Sequence, residues 1–111
     1  MNVNDINHYL QTSEEDIINP NTILNIHKGV QMLIKHIFNQ DKTLIQIDSD
    51  VDGYTSAAAL YNYLYYLFPT YVTNDLIYRI HDGKQHGILI DTIPKDVKFV
   101  IVPDAGSSDY E

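Results

Sequence analysis

The sequence feature best suited to chemistry is an acidic cluster that follows a short apolar segment. Asp48, Asp50 and Asp52 alternate there, and Gly53 comes next. Side chains that are two residues apart in an extended chain point to the same side, so two of these carboxylates can reach the same pair of metal ions. Crowded carboxylates repel one another, and divalent cations relieve that repulsion. The cluster therefore predicts a metal site built from carboxylates, with Gly53 permitting a sharp turn or a close backbone approach.

Two other interpretations of the acidic cluster are open. An Asp-Gly sequence is typical of a solvated turn, which would need no ion at all. The alternating acids also resemble part of a calcium-binding EF-hand loop. That loop needs a glutamate further along, and residues 57–61 contain none. Calcium is therefore disfavoured, and the choice lies between a solvated turn and a site for another divalent cation.

A second acidic turn follows another apolar segment near the end of the chain. Asp104 comes directly after the run Val-Ile-Val-Pro, and Gly106 and small polar residues follow it. If both apolar runs are neighbouring parallel strands, their carboxyl ends lie at one edge of the sheet. We therefore expect Asp104 to approach Asp50 and Asp52.

An alternation of helices and strands would position these two turns. Apolar residues at helical spacing predict one helix between Pro20 and Asn39 and another between Gly53 and Pro69. Short β-rich runs predict strands at residues 43–48, 76–80 and 99–102. This order predicts an α/β fold, a Rossmann-like, open and mostly parallel sheet flanked by helices. Residues 1–20 are polar and are interpreted as an N-terminal arm, and residues 21–111 as the domain.

The composition limits the kind of site and partner. Cysteine is absent from the 111 residues, so a metal must be held by oxygen or imidazole. Seven Lys and Arg residues against fifteen Asp and Glu residues give a net charge of −8, which argues against this chain providing the main nucleic-acid-binding surface. The chain has neither a long apolar run nor the basic start of a signal peptide, so we expect a cytoplasmic location and no membrane partner.

The tyrosine-rich run near residues 61–71 has two interpretations. Aromatic side chains stack on bases in single-strand binding sites, but those sites usually carry interleaved Lys or Arg, which this run lacks. Helical spacing instead places Tyr61 on the face of Leu60 and Leu64, so we expect it in the core. Tyr63 and Tyr66 are expected to cover a neighbouring element.

The motifs and their order resemble those of the DHH phosphoesterase superfamily. Residues 43–64 look like its first motif, an alternating acidic cluster followed by Thr-Ser-Ala and a helix, and residues 100–108 look like its second. The connection at residues 78–89 is similar to that of the RecJ-type exonucleases. In phosphatase-like relatives a histidine often stands where this chain has Gln46, which favours the RecJ-like branch. The resemblance covers residues 21–111.

This resemblance implies a set of functional residues. Asp50, Asp52 and Asp104 would be catalytic metal ligands, and Asp48 an occasional ligand. The metal would be Mn²⁺, with Mg²⁺ possible. His86 in the loop between the motifs and Ser107 beside the second motif are candidate substrate-binding residues.

The resemblance also implies an activity for the protein of which this chain would form the amino-terminal part. That protein would be a manganese-dependent phosphodiesterase, a 5′–3′ exonuclease acting on single-stranded DNA in DNA repair. The family's third motif, Asp-His-His, has no counterpart before Glu111, so these residues alone are expected to be inactive. Alternatives are an oligonucleotide or cyclic-dinucleotide phosphodiesterase of the same superfamily, or a non-catalytic interaction module. Self-association through an exposed sheet edge is also expected to be possible.

Overall fold

A computed structural model describes residues 2–83, 85 and 87–105. These residues form two compact units, of which the first ends at Met32 and the second begins at Leu33. Among the described residues, no helix is long and apolar enough to cross a lipid bilayer. The division of the sequence into an arm at residues 1–20 and a domain at 21–111 stays a prediction.

The first unit consists of short, capped elements. Helix α1 spans Val3–Leu10, and it begins at a capping box in which Asn2 Oδ1 accepts from the Asp5 amide at 2.9 Å. Two single 3₁₀ turns follow, at Glu14–Asp16 and Pro20–Thr22. The backbone N–H of Ser13 donates to the Asp16 carboxylate at 2.7 Å, and this hydrogen bond is the main reason why the pKa of Asp16 lies below its ordinary value. Local capping by Asn, Ser and Asp therefore organises this segment.

Helix α2 spans Ile26–Phe38, within the region predicted from sequence but starting later. Pro20 belongs to the 3₁₀ turn before it, and Asn25 has a positive φ of 63°, so neither residue continues a regular helix. At the other end Gln40 has a φ of 56°, a left-handed conformation that commonly terminates helices. Backbone conformation at Asn25 and Gln40 thus sets both ends of the helix.

Three parallel strands form the sheet of the second unit. Strand β1 spans Thr43–Ile47, β2 spans Leu76–Ile80 and β3 spans Phe99–Ile101. Their order is β2-β1-β3, so β1 is the central strand. Helix α3 spans Val51–Leu67 and the short helix α4 spans Pro69–Asp75. A parallel sheet flanked by helices confirms the predicted α/β class.

The core lies between one face of the sheet and helices α3 and α4. Ile45 and Ile47 of β1 pack with Ala57 and Leu64 of α3, and all four are buried. Tyr61 is partly buried against this cluster, in agreement with the helical pattern of the sequence. Every residue of β1 is buried, as expected for a central strand of a parallel sheet covered on both faces. The loop that follows β1 therefore starts from a fixed position.

Polar contacts hold the amino-terminal end of β1, opposite the acidic edge. The Tyr71 hydroxyl hydrogen-bonds to Thr43 Oγ1 and donates to the carbonyl of Asp41 at 3.0 Å. The Asp41 carboxylate lies 2.9 Å from His36 Nδ1 and 3.3 Å from Lys98 Nζ. The hydrogen bond with His36, followed by the contact with Lys98, lowers the pKa of Asp41. These contacts join α2, α4 and the segment before β3 to the start of the central strand.

Candidate metal centre

The acidic cluster forms the turn from β1 into α3. Asp50 is the N-cap residue of α3, and its Oδ1 accepts from the Gly53 amide at 2.8 Å. Asp52 lies in the first helical turn and is exposed. The amino end of a helix carries partial positive charge, so it favours the carboxylates placed there. The structure therefore gives Asp50 a structural role in addition to any role as a ligand.

Gly53 is required by the closeness of the backbone at this turn. A Cβ at this position would overlap the carbonyl oxygen of Asp48 and lie 2.9 Å from its carbonyl carbon and from its Cβ. Gly53 is itself buried. The predicted need for glycine here is thus a need for close approach between the start of α3 and the end of β1.

Asp48 lies at the buried base of the cluster, beside a histidine from the next strand. His81 follows β2, and its Nε2 lies 3.7 Å from Asp48 Oδ1. The same nitrogen donates to the carbonyl oxygen of Gly87 at 2.6 Å, and the His81 amide donates to the carbonyl of Ile47 at 2.9 Å. Both Asp48 and His81 are buried. This pair joins the carboxyl ends of β1 and β2 and fixes the beginning of the loop that follows β2.

The loop after β2 makes a second contact with the acidic turn, a hydrogen bond. Ser49 Oγ donates to the carbonyl of Gly83 at 2.8 Å, and Gly83 has a φ of 60°. Gly87 also has a positive φ, of 70°. Because glycine adopts these conformations without steric cost, the two glycines let the loop fold back against the end of β1.

Asp104 follows β3, the parallel neighbour of β1 on the other side from β2. Its pKa is raised, first by partial desolvation and then by the negative charges of Asp50, Asp52 and Asp48. The structure therefore brings the second acidic turn within electrostatic range of the first. Mutual repulsion of this kind is what a hard divalent cation with oxygen ligands would relieve.

The described residues do not by themselves form a complete ion site. Among residues 2–83, 85 and 87–105, no three carboxylate or imidazole groups converge in an arrangement that could hold a metal. The donor chemistry fits a divalent cation, but the arrangement falls short of a full ligand set. His86 and Ser107, the candidate substrate-binding residues, lie outside the described residues.

A buried polar network, which the sequence pattern did not predict, lies on the face of the sheet opposite helix α3. Gln46, whose side chain is 1% exposed, accepts through Oε1 from Arg79 Nε at 2.9 Å and from Nη2 at 2.6 Å. Gln46 Nε2 donates to the Arg79 carbonyl at 3.0 Å, and Arg79 Nη1 donates to the carbonyl of Thr92 at 2.6 Å. The network joins β1, β2 and the connection to β3. The sequence pattern did not indicate the contact of His81 with Asp48 either, although the position of His81 after β2 places it at the same edge of the sheet.

Two curated proteins match this chain, each with 46% identity over 103 residues. One is named as a candidate SPbeta prophage-derived single-strand DNA-specific exonuclease, YorK, of Bacillus subtilis (strain 168). The other is named as a candidate single-strand DNA-specific exonuclease, yorK, of Bacillus phage SPbeta. This chain is similar to both.

The match covers very different fractions of this chain and of the two relatives. It includes 93% of this chain but only 17% of each relative. No family model matches the chain, and no solved structure matches it. The matched 103 of the 111 residues include the three strands and the acidic turn after β1, and the chain spans about a sixth of the length of the relatives.

Proposed function

We propose that this chain forms the amino-terminal part of a metal-dependent phosphodiesterase, a RecJ-like 5′–3′ exonuclease acting on single-stranded DNA. The observation that carries the proposal is the 46% identity, over 93% of the chain, to proteins named as single-strand DNA-specific exonucleases. The order of the acidic motifs and the parallel sheet supports the same proposal, because ligands of such sheets bind at the carboxyl ends of the strands.

The proposed metal ligands are Asp50, Asp52 and Asp104, with Asp48 as an occasional ligand and Mn²⁺ or Mg²⁺ as the ion. The raised pKa of Asp104 beside the other three acids supports this set. The bound ions would supply an activated water and stabilise charge on the phosphate. The chain's own contribution is to position the carboxylates, through the cap at Asp50 and the close turn at Gly53.

Replacing Asp52 with asparagine is expected to weaken Mn²⁺ binding to the purified chain about tenfold or more, equivalent to about 1.4 kcal/mol. The substitution removes one carboxylate from the acidic turn but keeps the size of the side chain. Isothermal titration with MnCl₂ gives the dissociation constant. Asp91→Asn is the matched control, because Asp91 is an exposed acid in the turn Ile90–Thr92 and outside the cluster. Equal Mn²⁺ affinity in Asp52→Asn and in the unchanged chain would exclude the acidic cluster as the site.

The 111-residue chain is expected to leave 5′-labelled single-stranded DNA intact in the presence of Mn²⁺, whereas the whole product of the gene degrades it. The described residues lack a complete ligand set, and two-metal hydrolysis requires both ions to be fixed. Gel analysis of both proteins tests this. Cleavage by the chain that disappears in Asp50→Ala would show that the site is complete without further sequence.

The choice of substrate separates the proposed exonuclease from its alternatives. Long single strands and dinucleotides, linear and cyclic, are offered to the whole gene product with Mn²⁺. Preference for long strands supports the exonuclease, and preference for dinucleotides supports the alternative phosphodiesterase. No cleavage of either would favour a non-catalytic interaction module.

Because β2 and β3 are the outer strands of the described sheet, self-association through one of these edges is part of the proposal.

A further inference from the structure

An open apolar groove lies between helix α3 and strand β2, close to the acidic turn. Its floor is formed by Ile45 and Ile47 of β1, and its walls include Tyr54, Tyr61 and Tyr78. We call this the tyrosine groove. Its volume is about 450 Å³, within the roughly 300–1,000 Å³ that is usual for small-molecule sites. None of the residues named so far as metal ligands lines it.

The tyrosines of the groove are not ordinary core residues. Tyr61 is partly buried against the core, and its ring packs edge-to-face on Tyr78, with centroids 6.1 Å apart and an interplanar angle of 84°. Tyr78 is nevertheless 61% exposed, and Tyr54 is 46% exposed. One aromatic wall is therefore fixed by packing, and two rings leave a large part of their surface open for a ligand.

The chemistry of the groove favours a flat, uncharged aromatic ligand. The described residues of its lining are largely apolar and include no Lys or Arg, so they offer nothing to a phosphate group. Asn62 is the one side-chain amide among the lining residues that the structure describes, and it offers both a donor and an acceptor. Nucleobases meet these requirements, because they stack on aromatic rings and carry hydrogen-bonding groups at their edges.

The position of the groove connects it to the acidic turn. Ile47 of the floor directly precedes Asp48, and Tyr54 lies in the first turns of α3, two residues after Asp52. At a rise of about 3.3 Å per residue, the end of the floor lies within roughly 10 Å of Asp50 along the chain. A DNA strand whose phosphate lay at the proposed metal site would thus have a neighbouring base close to the groove.

We propose that the tyrosine groove is a nucleobase subsite, in which one base of a single-stranded DNA stacks on Tyr54 and Tyr78 and Asn62 hydrogen-bonds to its edge. The identification of DNA as the source of the base rests on the proposed function. The stacking chemistry rests on the groove alone. An apolar segment of protein is the other occupant that such a groove could take, and the experiment separates the two.

Binding of an uncharged nucleoside to the purified chain, without metal, tests the subsite directly. Deoxyadenosine is titrated in EDTA and followed by NMR on the methyl groups of Ile45 and Ile47. Saturable shifts of these methyl groups are expected. Tyr78→Leu and Tyr54→Leu should each weaken binding at least about fivefold, because stacking on one aromatic ring is worth about 1–3 kcal/mol per base. Free deoxyribose should cause no saturable shift.

Tyr66→Leu is the matched control, since Tyr66 lies on the same helix, is 82% exposed and is outside the groove. It should bind deoxyadenosine as the unchanged chain does, and thermal melting should show that all three variants are folded. Unchanged affinity in Tyr78→Leu and Tyr54→Leu, or an absence of shifts at Ile45 and Ile47, would overturn the subsite and favour a protein segment. Because the titration needs neither metal nor cleavage, it can succeed where the Mn²⁺ experiment fails, and the reverse.

Discussion

Replacing Gly53 with alanine is expected to lower the free energy of unfolding by about 3 kcal/mol. The added Cβ would overlap the backbone carbonyl oxygen of Asp48, and backbone atoms at the end of a buried central strand have little freedom to move. The start of α3 would have to shift away from β1, which would also stretch the hydrogen bond between Asp50 and residue 53. Urea unfolding followed by circular dichroism measures the change.

Gly29→Ala is the matched control for this prediction. Gly29 lies within α2, and a Cβ added there meets no atom within 4 Å. Alanine is the better helix former, so this variant should be more stable than the parent by about 0.5–1 kcal/mol. One chemical change should therefore have opposite effects at the two positions. A Gly53→Ala protein as stable as the parent would show that the turn from β1 into α3 adapts without cost.

Replacing Arg79 with methionine is expected to lower the free energy of unfolding by about 2 kcal/mol. The substitution removes both hydrogen bonds to Gln46 Oε1 and the bond to the Thr92 carbonyl. Gln46 is almost fully buried, and a buried acceptor left without its donor costs about 1–3 kcal/mol. Methionine keeps most of the aliphatic length of the side chain, so lost hydrogen bonds dominate the effect. Urea unfolding at neutral pH is the measurement.

Two further variants separate this network from a general effect of charge. Lys98→Met removes a cation whose own side chain is 69% exposed, and the Asp41 carboxylate keeps its contact with His36, so the cost should stay below about 1 kcal/mol. The double variant Gln46→Leu, Arg79→Met replaces both partners with apolar groups and should recover about 1 kcal/mol or more of the loss. Equal losses in Arg79→Met and Lys98→Met would contradict the importance of the buried network.

Local patterns predicted the elements well where one residue type decides the conformation. Strand β2 has the bounds expected from its β-rich run, and β1 is one residue shorter than expected. Helix α3 begins at Val51, before Gly53, because Asp50 serves as its cap and the acidic turn is partly helical. Helix α4 was missed because Pro69 was interpreted as a terminator, although proline is also favoured at the first position of a new helix.

The candidate site was predictable to the level of neighbouring strand ends. Two acidic turns after apolar runs predict carboxylates at one edge of a parallel sheet, and β1 and β3 are indeed adjacent and parallel. The contacts of Gln46 with Arg79 and of Asp48 with His81 were not predictable, because each joins residues more than thirty positions apart in sequence. Periodicity reports which face of an element is apolar, but not which polar side chains meet across strands.

The order in which the strands pair has a consequence for the biogenesis of the acidic edge. Thr43 of β1 pairs with Leu76 of β2 and with Phe99 of β3, so neither pairing is local. Parallel pairings of this kind have high contact order and are slow to form. During synthesis β1 cannot complete its pairing until both β2 and β3 have left the ribosome. The nascent chain therefore passes through an interval in which its central strand, buried throughout in the folded unit, is available to chaperones, and the second acidic turn joins the first only after that interval ends.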